Sequence, residues 1–194
     1  MELFIIYLLL RKLNKGVIKM DLLNVYITNL GKYNEGELVG EWVNLPVSEE
    51  ELDEVFKRIG LNDEYEEYFI TDFESDVGIK IGEYENIKEL NEKIQELDDA
   101  TNGEYEKLSA VMDKYYCDFR DMDEVIETMQ SDDVEFIKGW SGADYERSFV
   151  EDCYSLDFDK LGWISNYISI DYEEMAKDDD YIYETDDGVL IDRR

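Results

Sequence analysis

Apolar residues recur along this 194-residue chain with two spacings, one typical of strands and one typical of helices. Alternation of apolar and polar residues predicts strands in NVYITNL (24–30), in LVGEWVNL (38–45) and in EYFITDFE (67–74). The first two are separated by GKYNEGE, whose composition predicts a turn. Together these segments predict a small sheet within residues 20–82.

A helix is predicted between the second and third strands. Ser48 suits the N-cap position, and Glu51, three residues later, completes the pattern of a capping box. Gly60 stands where a helix of this length ends. The apolar residues with helical spacing are Leu52, Val55, Phe56 and Ile59.

Residues 83–132 show helical periodicity in three successive stripes. The first stripe ends at Asn102-Gly103, a pair that favours the left-handed stop of a helix. We interpret the stripes as core positions rather than ligand contacts. Their members are Ile87, Leu90, Ile94 and Leu97, then Leu108, Val111, Met112 and Tyr115, then Val125, Ile126 and Met129.

Residues 133–194 mix strands and helices. The pattern predicts a strand in VEFIKGW (134–140) and a closing hairpin with Asp187-Gly188 at its tight turn. Between them, Asp144 is predicted to cap a helix that carries Phe149, Val150, Cys153 and Leu156. A second helix is predicted to carry Leu161, Ile164, Ile168, Tyr172 and Met175.

The predicted fold class is α+β, with three small domains over residues 20–82, 83–132 and 133–194. Residues 1–19 differ from the rest because an apolar run, Leu3 to Leu10, is followed by basic residues. Eight residues are too few to span a bilayer. Two interpretations stay open: an upstream extension with Met20 as the customary start, or an added amphipathic element.

The charge balance narrows the range of partners. The chain has 51 acidic and 19 basic residues and a net charge of -32, yet 44% of its residues are hydrophobic, enough to build a core. Such a field repels nucleic acid and anionic membranes and attracts basic proteins. Self-repulsion also predicts that carboxylates hold protons more readily when folded, so that stability rises as pH falls through the mildly acidic range.

The acidic residues are concentrated among core-forming residues in LNDEYEEYFITDFES (61–75), which contains six carboxylates and no basic residue. Duplex DNA carries about one charge per 1.7 Å of its axis. Carboxylates at i and i+2 of a strand lie about 6.5–7 Å apart, and those at i and i+4 of a helix about 5–6 Å apart. Rows of such residues are suited to imitate a phosphate backbone.

Signatures of catalysis and cofactor binding are scarce. The absence of His removes the usual general base and any Cys/His zinc site, and the two cysteines, Cys117 and Cys153, form no CxxC pair. The chain also lacks a phosphate-binding loop and an EF-hand pattern. We therefore expect no enzyme activity, no cofactor and no built metal site; a metal-buffering or catalytic acidic protein is a rival interpretation.

From Met20 onward the order of residues resembles the ArdA antirestriction proteins. The most specific stretch is NLGKYNEGELVGEW (29–42), followed by GLNDEYEEYFITDFE (60–74). YENIKELNEKIQEL (84–97) is similar to the family's central helical region, and NYISIDYEEMAKD (166–178) to its C-terminal helix. Two departures are the extension 1–19 and a more divergent C-terminal region that contains Asp178-Asp179-Asp180.

The resemblance implies an elongated three-domain protein from a mobile genetic element that acts in the cytoplasm of its bacterial host. Members dimerise through the C-terminal domain, imitate bent B-form DNA and occupy the DNA groove of type I restriction–modification enzymes, without cofactor or turnover. The alternative is an acidic binding module for another basic DNA-binding protein.

Two sets of candidate residues follow. The carboxylates expected to act jointly as a DNA mimic are Asp63, Glu64, Glu66, Glu67, Asp72, Glu74, Glu83, Glu85, Glu89, Glu92 and Glu96. The residues considered for a dimer interface are Trp163, Ile164, Tyr167 and Ile168. The alternative for the second set is that these residues pack the core of their own domain.

Overall fold

A computed structural model describes residues 20–115, 118–154 and 158–194, so the predictions for residues 1–19, Cys117 and Leu156 lie outside the described residues. The described chain combines α-helices with two small antiparallel sheets, which agrees with the α+β prediction. Its packing forms two compact units, whereas the division into three domains stays a prediction. The first unit holds residues 20–105 and 118–126, and the second holds 106–115, 127–154 and 158–194.

The sheet of the first unit has the strand order β2-β1-β3, with both pairs antiparallel. Its strands are β1 (Leu23–Asn29), β2 (Gly40–Leu45) and β3 (Tyr68–Glu74). All three predicted strands are therefore confirmed. The side chains on its inner face are buried: Leu23, Val25, Ile27, Val43, Leu45 and Ile70.

Two helices join these strands. The segment predicted as a turn contains a single helical turn, α1 (Leu30–Asn34), because the Asn29 side chain accepts a hydrogen bond from the Lys32 amide at 3.0 Å. In α2 (Glu49–Arg58), Ser48 is the N-cap as predicted and accepts from the Glu51 amide at 3.2 Å. The Glu51 carboxylate accepts from Arg58 at 2.8 Å, so an ion pair takes the place of the second half of the capping box.

The longest helix of the first unit, α3 (Ile87–Thr101), confirms the first predicted stripe. Asn86 caps its start, and Asn102 (φ 48°) with Gly103 (φ 86°) ends it in the left-handed conformation. The stripe residues Ile87, Leu90, Ile94 and Leu97 are fully buried. The polar side of α3 therefore faces solvent.

Residues 105–130 hold two further helices, α4 (Tyr105–Tyr115) and α5 (Met122–Gln130), with a 3₁₀ turn at Phe119–Asp121 between them. Most of the residues predicted for these stripes are buried: Leu108, Val111, Met112, Val125 and Met129. The helical periodicity of this part of the sequence is thus explained by core packing.

The second unit contains a sheet with the strand order β4-β6-β5, formed by β4 (Val134–Lys138), β5 (Ile182–Thr185) and β6 (Gly188–Asp192). The hairpin is confirmed, but its predicted turn is wrong: Asp186 and Asp187 form the turn, and Gly188 begins β6. A Cβ at position 188 would collide with the Ile137 carbonyl oxygen. Gly188 is therefore needed for close strand approach rather than for the turn.

The helices of the second unit differ from prediction in two respects. In α6 (Gly142–Cys153), Ser141 is the N-cap, and Asp144 completes a capping box from the third helical position. The single second helix predicted through Leu161 to Met175 is wrong. A 3₁₀ segment (Phe158–Tyr167) is broken at Gly162, with φ 57° and ψ -134°, and Asp171 caps a separate helix, α7 (Tyr172–Asp178).

A buried carboxylate holds the end of β6. Asp192 is 6% exposed and accepts hydrogen bonds from Arg194 Nε at 2.9 Å, from Lys114 Nζ at 3.2 Å and from the Tyr115 hydroxyl. The bonds from Arg194, then those from Tyr115 and Lys114, keep the pKa of Asp192 well below its usual range, although burial opposes them.

Other paired carboxylates shift in the same direction. The pKa of Glu41 is lowered by Arg58, that of Glu54 by Lys57 and that of Glu106 by Lys138. Burial, followed by the neighbouring Asp179, raises the pKa of Glu146. Attraction to cations thus outweighs the general self-repulsion at these ion-paired sites, whereas Glu146 shifts in the direction expected from net charge, and the rise of stability in the mildly acidic range stays a prediction.

We predict that stability falls as pH drops below about 4, because Asp192 contributes stability above its unfolded pKa of about 3.9 and loses it as pH falls through its lower folded pKa. Unfolding by urea should be measured between pH 7 and 3. At pH 7, Asp192→Asn should lower the free energy of unfolding by roughly 2–3 kcal/mol, and the decline towards pH 3 should be shallower. Equal pH slopes for the two proteins would contradict this assignment.

Candidate protein-binding surface

The loop before β3 exposes four of the predicted carboxylates. The Asn62 side chain accepts from the amides of Glu64 at 2.8 Å and Tyr65 at 3.2 Å, which folds the loop locally. The four exposed residues are Asp63, Glu64, Glu66 and Glu67. A short side-chain-capped turn therefore presents this part of the acidic stretch to solvent.

Tyr65 anchors that loop to the rest of the unit. Its hydroxyl donates to Glu35 Oε1 at 2.9 Å and accepts from Lys32 Nζ at 3.1 Å. These contacts, with Tyr65 first and Glu35 second, raise the pKa of Lys32. A Cβ at Gly31 would collide with the Tyr65 ring. Sequence reasoning assigned Tyr65 to the core in general but missed this link, since nothing local to residues 61–75 indicates it.

Asp72 and Glu74 lie on the outer face of the sheet. Asp72 is opposite Tyr26, and Glu74 is opposite Asn24. A register shift beside Tyr26 places Ile70, but not Asp72, on the buried face. Both carboxylates are exposed, and they share one strand face as their spacing predicts.

The segment after β3 continues the acidic surface. The Glu83 carbonyl oxygen accepts from the Ile70 amide at 2.8 Å, which fastens this segment to the edge of β3. Glu83 is exposed, whereas Glu85 is half-buried. On α3, the carboxylates Glu89, Glu92 and Glu96 are exposed on the side away from the buried stripe.

Few of these carboxylates have a cationic neighbour. Among the residues that the structure describes, ten of the eleven form no ion pair, and the exception is Glu96, which lies 2.7 Å from Lys93 Nζ. No Lys or Arg occurs in the sequence between Arg58 and Lys80. We call these eleven residues the acidic surface.

Most ion pairs among the described residues of the first unit lie outside the acidic surface. Arg58 bridges Glu41 and Glu51 at 2.9 and 2.8 Å. Lys93 lies 2.6 Å from Asp123, and Asp123 followed by Glu96 raises the pKa of Lys93. These ion pairs join helices and strands to one another, so they serve the fold while most of the acidic surface stays uncompensated.

The four residues considered for a dimer interface are exposed in the second unit. Trp163 is 75% exposed and Tyr167 81%, with their rings in edge contact at 6.1 Å between centroids. Ile164 and Ile168 are each 44% exposed. Trp163 and Tyr167 therefore contribute little to the core of their own domain, and their place in a dimer interface stays a prediction.

Residues 20–115, 118–154 and 158–194 show few features of other kinds of site. This part of the chain has no group of three or more Cys, Asp or Glu side chains with the geometry to hold a metal ion. None of its helices is long and apolar enough to cross a membrane. Cys153 carries an exposed free thiol. Carboxylates without cations remain the main chemical feature of the described surface.

Comparison with known proteins yields one family. The sequence model described as "Antirestriction protein (ArdA)" matches residues 25–191, which is most of the chain and includes both compact units. No individual curated protein matches.

Proposed function

The chain belongs to the ArdA family of antirestriction proteins, and from this premise we propose that it inhibits type I restriction–modification enzymes as a mimic of DNA. Its acidic surface would enter the groove that binds DNA and exclude the substrate. The inhibitor acts stoichiometrically in the bacterial cytoplasm, and no cofactor or turnover is required.

The observation that carries this proposal is the exposure of carboxylates without counter-charges. Ten of the eleven predicted residues are exposed, and ten have no ion pair within the described chain. A DNA groove is lined with Lys and Arg that normally meet phosphates at regular intervals. Carboxylates on β3 and α3 repeat at intervals of the same order, because strand and helix geometry fixes their spacing.

Counterion release supplies a driving force for binding. Closely spaced fixed charges accumulate cations, which return to bulk solution when Lys and Arg of the enzyme replace them. The mimic keeps this gain only where its own cations do not already neutralise the carboxylates. The absence of Lys and Arg between residues 59 and 79 is therefore an advantage for inhibition, although it adds self-repulsion to the fold.

A homodimer would extend this surface. We propose that Trp163, Ile164, Tyr167 and Ile168 contribute to the contact between two copies. Large exposed aromatic side chains are the usual anchors of protein interfaces, and Trp163 and Tyr167 are the most exposed aromatic pair in contact in the described second unit. Doubling the charged length would allow each inhibitor to cover more of a groove.

The first prediction concerns cumulative charge. Neutralising Asp63, Glu64, Glu66, Glu67, Asp72 and Glu74 together to Asn or Gln should weaken binding to a purified type I methyltransferase by about 30-fold, since each exposed pair contributes only tenths of a kcal/mol. The slope of log affinity against log salt should become shallower by several units. Neutralising any one of these six carboxylates alone should change affinity less than about threefold.

A matched control neutralises six exposed acids of the second unit that form no ion pair within the described chain: Glu127, Asp132, Glu135, Glu151, Asp152 and Glu173. This variant should keep the wild-type salt slope if the acidic surface is the contact. Equal losses in the two variants would assign binding to net charge alone. Competition against a panel of other basic DNA-binding proteins tests whether the inhibitor recognises type I enzymes in particular.

The second prediction concerns assembly. Trp163→Ala combined with Tyr167→Ala should shift the protein from dimer to monomer in multi-angle light scattering, because two aromatic anchors are removed. Trp140→Ala with Tyr181→Ala, which removes other exposed rings of the second unit, should leave the dimer intact. A dimer that survives the first pair of substitutions would exclude these residues as its anchors.

A further inference from the structure

An ordered aromatic pair lies on the outer face of the first sheet, among the carboxylates. Tyr26 of β1 is directly opposite Trp42 of β2 on one side and Asp72 of β3 on the other. In the next outward-facing row, Asn24 stands between Asn44 and Glu74. The six positions include two aromatic rings and two carboxylates, and none is basic.

A hydrogen bond between β1 and β2 holds the aromatic pair in place. The Tyr26 hydroxyl donates to the Gly40 carbonyl oxygen at 3.1 Å, so its ring lies across β2. A Cβ at position 40 would lie 2.7 Å from that ring, and glycine therefore makes the arrangement possible. Trp42 then meets Tyr26 edge-on, with 5.4 Å between ring centroids and an interplanar angle of 64°.

Core packing does not explain the exposed part of Trp42. The hydrophobic core lies on the opposite face, where Val43 and Leu45 of the same strand are buried. Trp42 remains 41% exposed beside Tyr26. A fixed, half-exposed Trp costs little side-chain entropy when a partner covers it, which is the property of an interface anchor.

The rings and the nearby carboxylate favour the binding of an arginine side chain. A guanidinium group stacks on aromatic faces and also donates two parallel hydrogen bonds to a carboxylate. Because β2 and β3 lie about 10 Å apart, a guanidinium group stacked on the two rings over β2 also lies within the screened attraction of the Asp72 carboxylate on β3. An ammonium group is a compact point charge and makes less use of the rings.

We propose that Trp42, Tyr26 and Asp72 form an arginine-binding subsite that holds an arginine from the DNA groove of the inhibited enzyme. This inference rests on the proposed function and adds to it a contact that a phosphate backbone does not provide. Carboxylates supply the salt-sensitive part of the affinity, whereas ring stacking supplies a part that salt screens weakly.

The test measures affinity for a purified type I methyltransferase at two salt concentrations. Trp42→Ala should weaken binding about 10- to 30-fold while the salt slope stays that of the wild type. Asp72→Asn should lower the slope by about one. The matched control is Trp140→Ala, which removes a Trp of similar exposure (39%) from the second unit and should change affinity less than about threefold.

Two conservative variants, Trp42→Phe and Trp42→Ile, distinguish ring stacking from the effect of side-chain volume. They also replace the Ala variant if circular dichroism shows that it does not fold. Phe retains a ring and should recover part of the lost affinity, whereas Ile suits a strand but has no π face and should not. Equal affinity of the Phe and Ile variants would overturn the arginine subsite. A Trp42→Ala variant that binds as tightly as the wild type would also overturn the arginine subsite. In either case the proposed inhibition of type I enzymes would stand. Failure of the wild type itself to bind would overturn both proposals.

Discussion

The allocation of a small number of cations is the constraint on which this structure depends. With 19 basic residues against 51 acidic ones, most carboxylates have no cation available. Some of the cations join elements of the fold: Arg58 ties α2 to β2 through Glu41, and Lys93 ties α3 to Asp123. The same composition therefore has two consequences. The few cations that join elements stabilise the fold, and most surface carboxylates of the described chain stay without an ion pair.

Burial of apolar and aromatic side chains offsets the electrostatic repulsion among the unpaired carboxylates. On β3, Ile70 is buried on the core face, while Asp72 and Glu74 project from the other face, on which Phe69 is buried against Tyr33. Hydrophobic burial contributes about 25 cal/mol per Å², so a few such side chains offset the repulsion among exposed carboxylates that water largely screens. Self-repulsion is most costly where water is excluded, and at the buried Asp192 carboxylate the structure supplies hydrogen-bond donors from Arg194 and Lys114.

Local patterns predicted most elements, and the errors arose from contacts between residues distant in sequence or from competing caps. The Ser48 cap and the α3 stripe follow from adjacent residues and are confirmed. The role of Gly188 depends on the approach of Ile137, about fifty residues earlier, which no turn rule contains. Exposure of the acidic surface follows from composition and strand alternation, whereas the Tyr65–Lys32 contact depends on tertiary packing.

Distributed charge and a fixed aromatic contact contribute differently to the affinity and the selectivity of binding. A surface of many weak carboxylate contacts tolerates the loss of any one and fits any groove that binds DNA, because the phosphate backbone carries no sequence information. Selectivity then requires a contact with particular geometry, since long-range attraction steers encounters without distinguishing similar grooves. The Gly40–Tyr26–Trp42 arrangement provides such geometry within the acidic sheet face. Broad attraction and local stacking on one face allow an inhibitor to associate with basic grooves rapidly, yet remain longest where an arginine meets Trp42.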